Sequence, residues 1–129
     1  MYEALIMLEQ ALNPSIEDYA QKIVSFYESS GGQKPFVTVD GESLVAKFDG
    51  ITFSVNKNCG AHVLEESEGI STMAKSEEQA ALSKSKCRFE LKSTTDLDML
   101  YFNDFLFLIQ AAEKLGKVWA FDTAAGEFI

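Results

Sequence analysis

Residues 35–55, PFVTVDGESLVAKFDGITFSV, decide the fold class that this sequence predicts. Three short runs rich in β-branched and aromatic residues are separated by Asp40-Gly41 and Asp49-Gly50. Asp-Gly between such runs is a strong hairpin signal, because tight hairpin turns need a positive φ that glycine adopts at little cost. Two such signals in succession predict a three-stranded antiparallel meander.

On the C-terminal side of the meander, the pattern predicts further strands and a long helix. Residues 61–66 are expected to add a fourth strand, and residues 71–85 to form a mostly polar surface helix. Apolar and polar residues alternate over 87–92, which is typical of a half-buried strand. Residues 96–115 are expected to form a long helix between Thr95 and Gly116, followed by strands over 117–122 and 127–129. The strand–helix–strand unit over 86–122 could be a right-handed crossover that makes one parallel pair.

On the N-terminal side, two helices are predicted. Residues 2–12 are rich in Ala, Leu, Met and Glu, which are good helix formers, and Asn13-Pro14 ends the run. Ser15 and Asp18 have the spacing of a capping box, and apolar residues at helical spacing follow until Gly31-Gly32. The predicted fold class is therefore α+β in one domain, residues 1–129. It has N-terminal helices, a central antiparallel β-meander and then a β-α-β unit, with helices packed on one face of a mainly antiparallel sheet.

Composition and charge exclude several classes of function. The 129 residues include 20 acids and 11 bases, for a net charge of -9. This charge repels nucleic-acid phosphates and anionic membrane surfaces, so neither is an expected partner. No apolar run approaches the roughly 20 residues that span a bilayer, no basic leader is visible, and two cysteines do not make a disulfide framework. The sequence predicts a cytoplasmic protein with reduced thiols and no cofactor.

Cys59 and His62 form the one compact cluster of soft ligands in the sequence. With Cys87 and either Glu65 or Glu66 they could hold a zinc ion, or the thiolate and imidazole could act as nucleophile and base. The plainer interpretation is a turn at residues 58–60 and a buried structural cysteine at 87, and it is favoured because such short motifs are weak. Walker A, G-x-G-x-x-G, H-E-x-x-H, G-x-S-x-G and paired C-x-x-C motifs are absent from the sequence.

The predicted helix over 96–115 carries two features of interest. Asp104 falls within its apolar face, either as a functional acid with a raised pKa or, as is more usual, as a partner of a neighbouring hydroxyl or amide. Outside that face lies a second apolar set, formed by Met99, Phe102, Leu106 and Ile109. Such a helix is central to a core or is covered by a partner or a second copy.

The acidic residues of the central segment give a further candidate surface. Between residues 65 and 78 five glutamates face only Lys75: Glu65, Glu66, Glu68, Glu77 and Glu78. They form either an ordinary solvated surface or an anionic face that steers a basic protein partner. Trp119 is expected to pack under the long helix.

These observations favour a non-enzymatic acidic accessory or binding protein that acts through a protein–protein interface, of inhibitor, immunity or chaperone type. The expected contact residues are Tyr101, Phe102, Leu106 and the five glutamates. One alternative is a small ligand- or metal-binding protein or enzyme that uses a Cys59/His62 pocket, with Asp104 as its acid. The other is a homo-oligomeric structural protein, most simply a homodimer, that buries the second apolar face of the helix.

Overall fold

The computed structural model describes residues 1–30 and 32–129. These residues contain seven strands, which are β1 (Glu3–Leu8), β2 (Phe36–Asp40), β3 (Ser43–Lys47), β4 (Thr52–Asn58), β5 (Arg88–Ser93), β6 (Val118–Asp122) and β7 (Glu127–Phe128). The strands form one sheet in the order β2-β3-β4-β5-β1-β6-β7, and every neighbouring pair is antiparallel. The helices are α1 (Ile16–Ser30), α2 (Ala61–Ser71), α3 (Ser76–Leu82) and α4 (Phe102–Glu113). The predicted α+β class is confirmed.

The meander is confirmed over the stretch that predicted it. Strands β2, β3 and β4 pair consecutively, with Asp40 opposite Ser43 and Lys47 opposite Thr52. Gly41 has a φ of 61°, the left-handed conformation that favours glycine in a two-residue hairpin. The capping box is also confirmed, because the Ser15 hydroxyl accepts a hydrogen bond from the Asp18 amide and the Asp18 carboxylate accepts one from the Ser15 amide. Helix α1 is described as far as Ser30, and Gly31 lies outside the described residues.

The helix expected over residues 2–12 is wrong, because this segment contains strand β1. It lies between β5 and β6 in the sheet, with Ile6 opposite both Phe89 and Ala120. A central strand covered on both faces is apolar throughout and lacks the alternation that identifies a half-buried strand. The same placement overturns the parallel pair expected within residues 86–122, since β1 separates β5 from β6 and is antiparallel to both.

Helices cover both faces of the sheet, so the expectation that they pack on one face is wrong although the fold class holds. Helices α1 and α4 pack over one face, where Tyr19, Phe53, Phe89 and Phe105 are almost fully buried in the main core. Residues of α2, α3 and the turn between them pack on the other face around a smaller cluster of Met7, Leu82 and Trp119. The expectation that Trp119 lies under the long helix is therefore wrong. Alternate residues of β6 face opposite sides, and Ala120 rather than Trp119 belongs to the main core.

The middle of the chain contains two short helices in place of the expected strand and single helix. Residues 61–66 belong to α2, and residues 71–85 divide into the end of α2, a turn and α3. Val63, Ser67 and Ser71 are buried at four-residue spacing while Glu65 and Gly69 between them are exposed, which is the pattern of a helix face and not of a strand. The Ser67 hydroxyl is satisfied locally by donating to the Val63 carbonyl at 2.9 Å.

Candidate functional site

The segment before α4 exposes an unusual amount of apolar side chain. Leu97 is 90% exposed, Leu100 75%, Met99 61% and Phe102 40%. We call these four residues the apolar loop surface. Single exposed apolar residues are common in soluble proteins, but four within six positions form a patch of the kind that marks interaction sites.

The apolar loop surface exists because the expected helix over 96–115 begins late, at Phe102. The Asp96 carboxylate accepts hydrogen bonds from the amides of Leu100 and Tyr101 at 3.1 and 2.9 Å. Met99 has a φ of 54°, a left-handed conformation that costs a non-glycine residue about 1 kcal/mol or more. These two features interrupt the helical path, so Leu97 and Leu100 lie outside the helix and away from the core.

The loop is tied to the N-terminus of the chain through Tyr2. The Tyr2 hydroxyl donates to Asp96 at 2.6 Å, and its ring lies 6.0 Å from that of Phe102 and 5.0 Å from that of Phe105. Burial and the hydrogen bond to Asp96 raise the pKa of Tyr2 to about 12. Burial alone would raise the pKa of Asp96, but the bonds from Tyr2, Tyr101 and Leu100 outweigh it, and the net pKa is lowered. The carboxylate is therefore charged at neutral pH and accepts all three hydrogen bonds in that form.

Tyr101 lies beneath the loop rather than on its outer surface. Its hydroxyl accepts a hydrogen bond from the Gly50 amide at 3.0 Å, and its ring packs 5.7 Å from that of Phe48. A Cβ added at Gly50 would lie 3.0 Å from the Tyr101 hydroxyl oxygen, so the turn at Gly50 fits closely against this ring. Tyr101 thus supports the apolar loop surface against the β3–β4 hairpin.

The outer face of α4 continues this surface into a groove of about 650 Å³. Phe102, Leu106, Ile109 and Glu113 follow one another at three- and four-residue spacing along the helix. Beyond Phe102 this row forms one wall of the groove, and β6, β7 and the start of α3 form the others. Two sequence candidates, Leu106 and Glu78, therefore lie at the same groove.

Acids accompany the apolar loop surface in the sequence and in space. Asp96, Asp98 and Asp104 lie in or beside the loop, and no Lys or Arg occurs between Lys92 and Lys114. Asp49 belongs to the turn that contacts Tyr101. The N-terminal ammonium is the nearby positive group, since it contributes to lowering the pKa of Asp96. An apolar centre with charged residues at its margin is a common composition of protein-binding patches.

The five glutamates at 65–78 do not form one free anionic face. Glu66 pairs with the buried guanidinium of Arg88 at 2.9 Å. Glu78 accepts hydrogen bonds from Lys117 at 3.1 Å and from the Trp119 indole at 3.0 Å, and these bonds lower its pKa. The other three glutamates are exposed: Glu65, Glu68 and Glu77.

Cys59 and Cys87 are joined by a disulfide bond, so the expectation of reduced thiols is wrong for this structure. The cause is the sheet register, which places Asn58 opposite Arg88 and brings the next residues on each strand face to face. A bonded Cys59 offers no thiolate to a metal or to a substrate. His62 is exposed and lies 3.2 Å from the Asn58 amide nitrogen, and among residues 1–30 and 32–129 no group of three His, Cys, Asp or Glu could hold a metal ion.

A polar network lies beside the disulfide. Glu90 accepts hydrogen bonds from Asn58 at 3.0 Å and from Arg88 at 2.8 Å. Burial raises the pKa of Glu90, but these two bonds outweigh it, so the net pKa is lowered. The charges here are paired within the protein, as in a structural cluster, although the buried Nη1 of Arg88 has only the ion pair with Glu66 and no hydrogen bond.

Asp104 has a hydroxyl partner, which a carboxylate in an apolar face needs in order to be stable there. It is half-buried and accepts a hydrogen bond from the Tyr27 hydroxyl at 2.7 Å, which links α4 to α1. Burial and this bond raise the pKa of Tyr27 well above its usual range. The pair fixes two helices against each other.

The comparisons with known proteins add no assignment. Protein-family models, curated proteins and solved structures give no match to this chain. In the part of the chain that the structure describes, no helix is both long and apolar enough to cross a bilayer. The candidate site therefore depends on the geometry alone.

Phe102 and Leu106 were predicted as contact residues, whereas the exposure of Leu97 and Leu100 was not predicted. A helix over residues 96–115 would place both leucines on its buried face together with Asp104, but α4 starts at Phe102. One signal was available in Asp96 itself, since an aspartate side chain can accept hydrogen bonds from nearby backbone amides in a turn instead of a helix. The positive φ of Met99 had no sequence signal, because methionine rarely adopts it.

Proposed function

We propose that this chain is a non-enzymatic binding protein that acts through a protein–protein interface, with the apolar loop surface at the centre of that interface. The observation that carries the proposal is the exposure of Leu97, Met99, Leu100 and Phe102 on a loop that is hydrogen-bonded through Asp96 and Tyr2. A pre-ordered loop loses little conformational entropy on binding, so more of its burial energy becomes affinity.

The proposed partner is a protein that presents an apolar pocket flanked by Lys or Arg. The acids at 96, 98 and 104 and the net charge of -9 would speed its approach and orient it. Exposed Glu65, Glu68 and Glu77 would add to the long-range attraction. Inhibitors, immunity-type proteins and chaperones act in this way, whereas nucleic acids and anionic membranes would be repelled.

A cytoplasmic location stays part of the proposal, and one observation bears against it. Disulfides are rare in cytosolic proteins, and this chain has one between Cys59 and Cys87. Counting free thiols in protein taken from its own cells, with alkylation at lysis, tests the location: two free thiols per chain fit the cytoplasm, and none fits an oxidising compartment.

The proposal is tested with a double variant, Leu97→Ser with Leu100→Ser. Because both side chains are largely exposed, the free energy of unfolding should change by less than about 0.5 kcal/mol. If both are buried in the complex, each loses about 1.5 kcal/mol of binding energy, and the two together weaken Kd about 100-fold.

The assay compares proteins retained from lysate by the immobilised parent, by the double variant and by a control, Leu64→Ser. Leu64 is an exposed leucine on α2, away from the apolar loop surface. A partner should be retained by the parent and the control, lost by the double variant, and released as salt rises. Identical retention by all three proteins would contradict the proposal.

A small-ligand function is the second candidate, and the groove beside α4 favours it in place of a Cys59/His62 pocket. Its volume of about 650 Å³ lies in the range of small-molecule sites. Trp119 lines it and is the chain's one tryptophan, so a ligand in the groove should change its emission. A titration with the apolar dye anilinonaphthalene sulfonate, on the parent and on Leu106→Glu, tests this: equal binding by both would exclude the groove.

A further inference from the structure

Strand β2 is an outer strand of the sheet, and the features that protect such an edge are confined to its ends, where Pro35 precedes it and Asp40 closes it. Residues 36–39, Phe-Val-Thr-Val, carry no charge and no proline, and the pairing with β3 runs through all five residues of the strand without a bulge. Phe36 is 72% exposed and Val39 is 38% exposed. Natural proteins generally charge, shorten or cover such edges, because they pair readily with another strand.

The backbone groups that β2 presents outward belong to Val37 and Val39. The Phe48 amide donates to the Ile51 carbonyl, so even-numbered residues of β3 face β4 and odd-numbered residues face β2. Their partners on β2 are Phe36, Thr38 and Asp40. The amide and carbonyl of the two intervening valines therefore point away from the sheet.

This edge is complementary to itself. When two copies of β2 run antiparallel about a two-fold axis at Thr38, each outward-facing Val37 lies opposite Val39 of the second copy. Both valines can then exchange hydrogen bonds with their counterparts, and the two Thr38 residues form the central non-hydrogen-bonded pair. Valine and threonine pairs across strands are among the favourable ones.

The side chains of β2 and of the neighbouring helix α1 are compatible with this pairing of two β2 strands. Val37 and Val39 line a shallow cleft against α1, and Val24 on that helix is 43% exposed. A second copy would place its own valines and α1 against this cleft. The register also brings Lys34 near Glu42 of the second copy, which pairs opposite charges at both ends of the contact.

We infer that two copies of this chain associate through β2, forming one continuous sheet of fourteen strands about a two-fold axis at Thr38. The inference is independent of the proposed function, because β2 contains none of the residues of the apolar loop surface. It leaves that surface free on each copy, so the dimer would present two binding sites.

The first test is the native mass by light scattering over a concentration series that reaches the millimolar range. The parent should approach twice the 14.3 kDa chain mass. Val39→Lys places a charge on the open edge without touching the bonds to β3, and it should return the mass to that of one chain with an unchanged circular dichroism spectrum. A parent protein that keeps the mass of one chain at every concentration would overturn the inference. The inference would be overturned in the same way if that single chain bound an added peptide along β2.

The second test fixes the register and does not depend on Val39→Lys folding. In the inferred dimer the two Thr38 Cα atoms lie about 4.5 Å apart, close enough for a disulfide. Thr38→Cys should therefore give an oxidised dimer in a non-reducing gel, whereas Phe36→Cys, whose thiol lies opposite residue 40, should not. Equal cross-linking of the two variants would exclude this register of β2. A dimer that dissociates only in the Leu106→Glu variant would place the contact at α4 instead of β2.

Discussion

Removing the Tyr19 hydroxyl should destabilise the protein at neutral pH but not in strong alkali. Tyr19 is fully buried between α1 and the sheet, with its ring 4.8 Å from that of Phe89. Its hydroxyl donates to the Leu108 carbonyl on α4 at 2.8 Å. Tyr19→Phe keeps the ring and removes this bond alone, so the variant isolates one contact between α1 and α4.

The magnitude at neutral pH follows from the bond that is lost. A neutral hydrogen bond contributes about 1 kcal/mol net, and the Leu108 carbonyl keeps its partner within the helix, so no acceptor is stranded. The free energy of unfolding should fall by about 1 kcal/mol, equivalent to about 4 °C in Tm for a chain of this size.

The alkaline behaviour follows from the pKa. Burial raises the pKa of Tyr19 well above its usual range, so the folded protein keeps this tyrosine neutral while the unfolded chain ionises near pH 10. The stabilisation is complete below pH 10 and is lost as pH rises above it, reaching a loss of about 1.4 kcal/mol at pH 11. Tyr19→Phe has no hydroxyl to ionise and does not lose this stability. The parent and the variant should therefore be equally stable near pH 10.7, where the parent's loss from ionisation roughly equals the variant's loss of the hydrogen bond.

The assay is urea unfolding followed by Trp119 emission, for the parent and Tyr19→Phe at pH 7 and pH 11. Phe89→Leu is the control, because it weakens the same packing without changing a titratable group and should cost the same at both values. A stability difference between parent and Tyr19→Phe that stays constant with pH would refute the assignment of a buried, neutral hydroxyl.

Three further predictions concern separate parts of the molecule. Reducing the Cys59–Cys87 bond, which spans a sequence separation of 28, should lower the free energy of unfolding by about 3–4 kcal/mol in the chain-entropy model; unfolding curves that coincide with and without reductant would exclude a structural disulfide. Ser15→Ala should cost about 1 kcal/mol by removing the cap of α1, measured by urea unfolding, and Ser29→Ala near the other end of that helix should be close to neutral. Because the pKa of Glu90 is lowered in the folded protein, its stabilisation is present above its ordinary pKa of 4.5 and is lost as pH falls through the lower folded value. Acid unfolding of Glu90→Gln should therefore depend less steeply on pH than that of the parent, and equal slopes would contradict the role given to Asn58 and Arg88.

The parts of the fold that local sequence determines were predicted correctly. The Asp-Gly turns, the capping box at Ser15 and the strand over 87–92 each depend on a few neighbouring residues, and the structure contains all three elements. In detail two differ from expectation, because only Gly41 of the two turn glycines has a positive φ and because Arg88 on the polar side of the strand is buried. Their signals are strong because turn and cap geometry restrict the residue types allowed.

The parts that tertiary contacts determine were not predictable. Helix propensity favoured a helix over 2–12, but the position of β1 between two strands overrides a preference of a few tenths of a kcal/mol per residue. The disulfide depends on the β4–β5 register, which a single sequence does not specify. For the candidate site, the sequence indicated an apolar face near Phe102 and Leu106, but the left-handed Met99 that exposes the neighbouring leucines is set by the surrounding structure.

The place of β1 in the sheet has a consequence for the order of events during synthesis. Its partners on β5 and β6 lie far along the chain, from Glu3 opposite Lys92 to Ala4 opposite Asp122. While the ribosome makes the intervening residues, the apolar segment Ala-Leu-Ile-Met-Leu has no strand to pair with and remains accessible to chaperones or to other nascent chains. The meander can close early through its tight turns, whereas the centre of the sheet must wait for nearly the whole chain, so folding should be slow and should end with the insertion of β1.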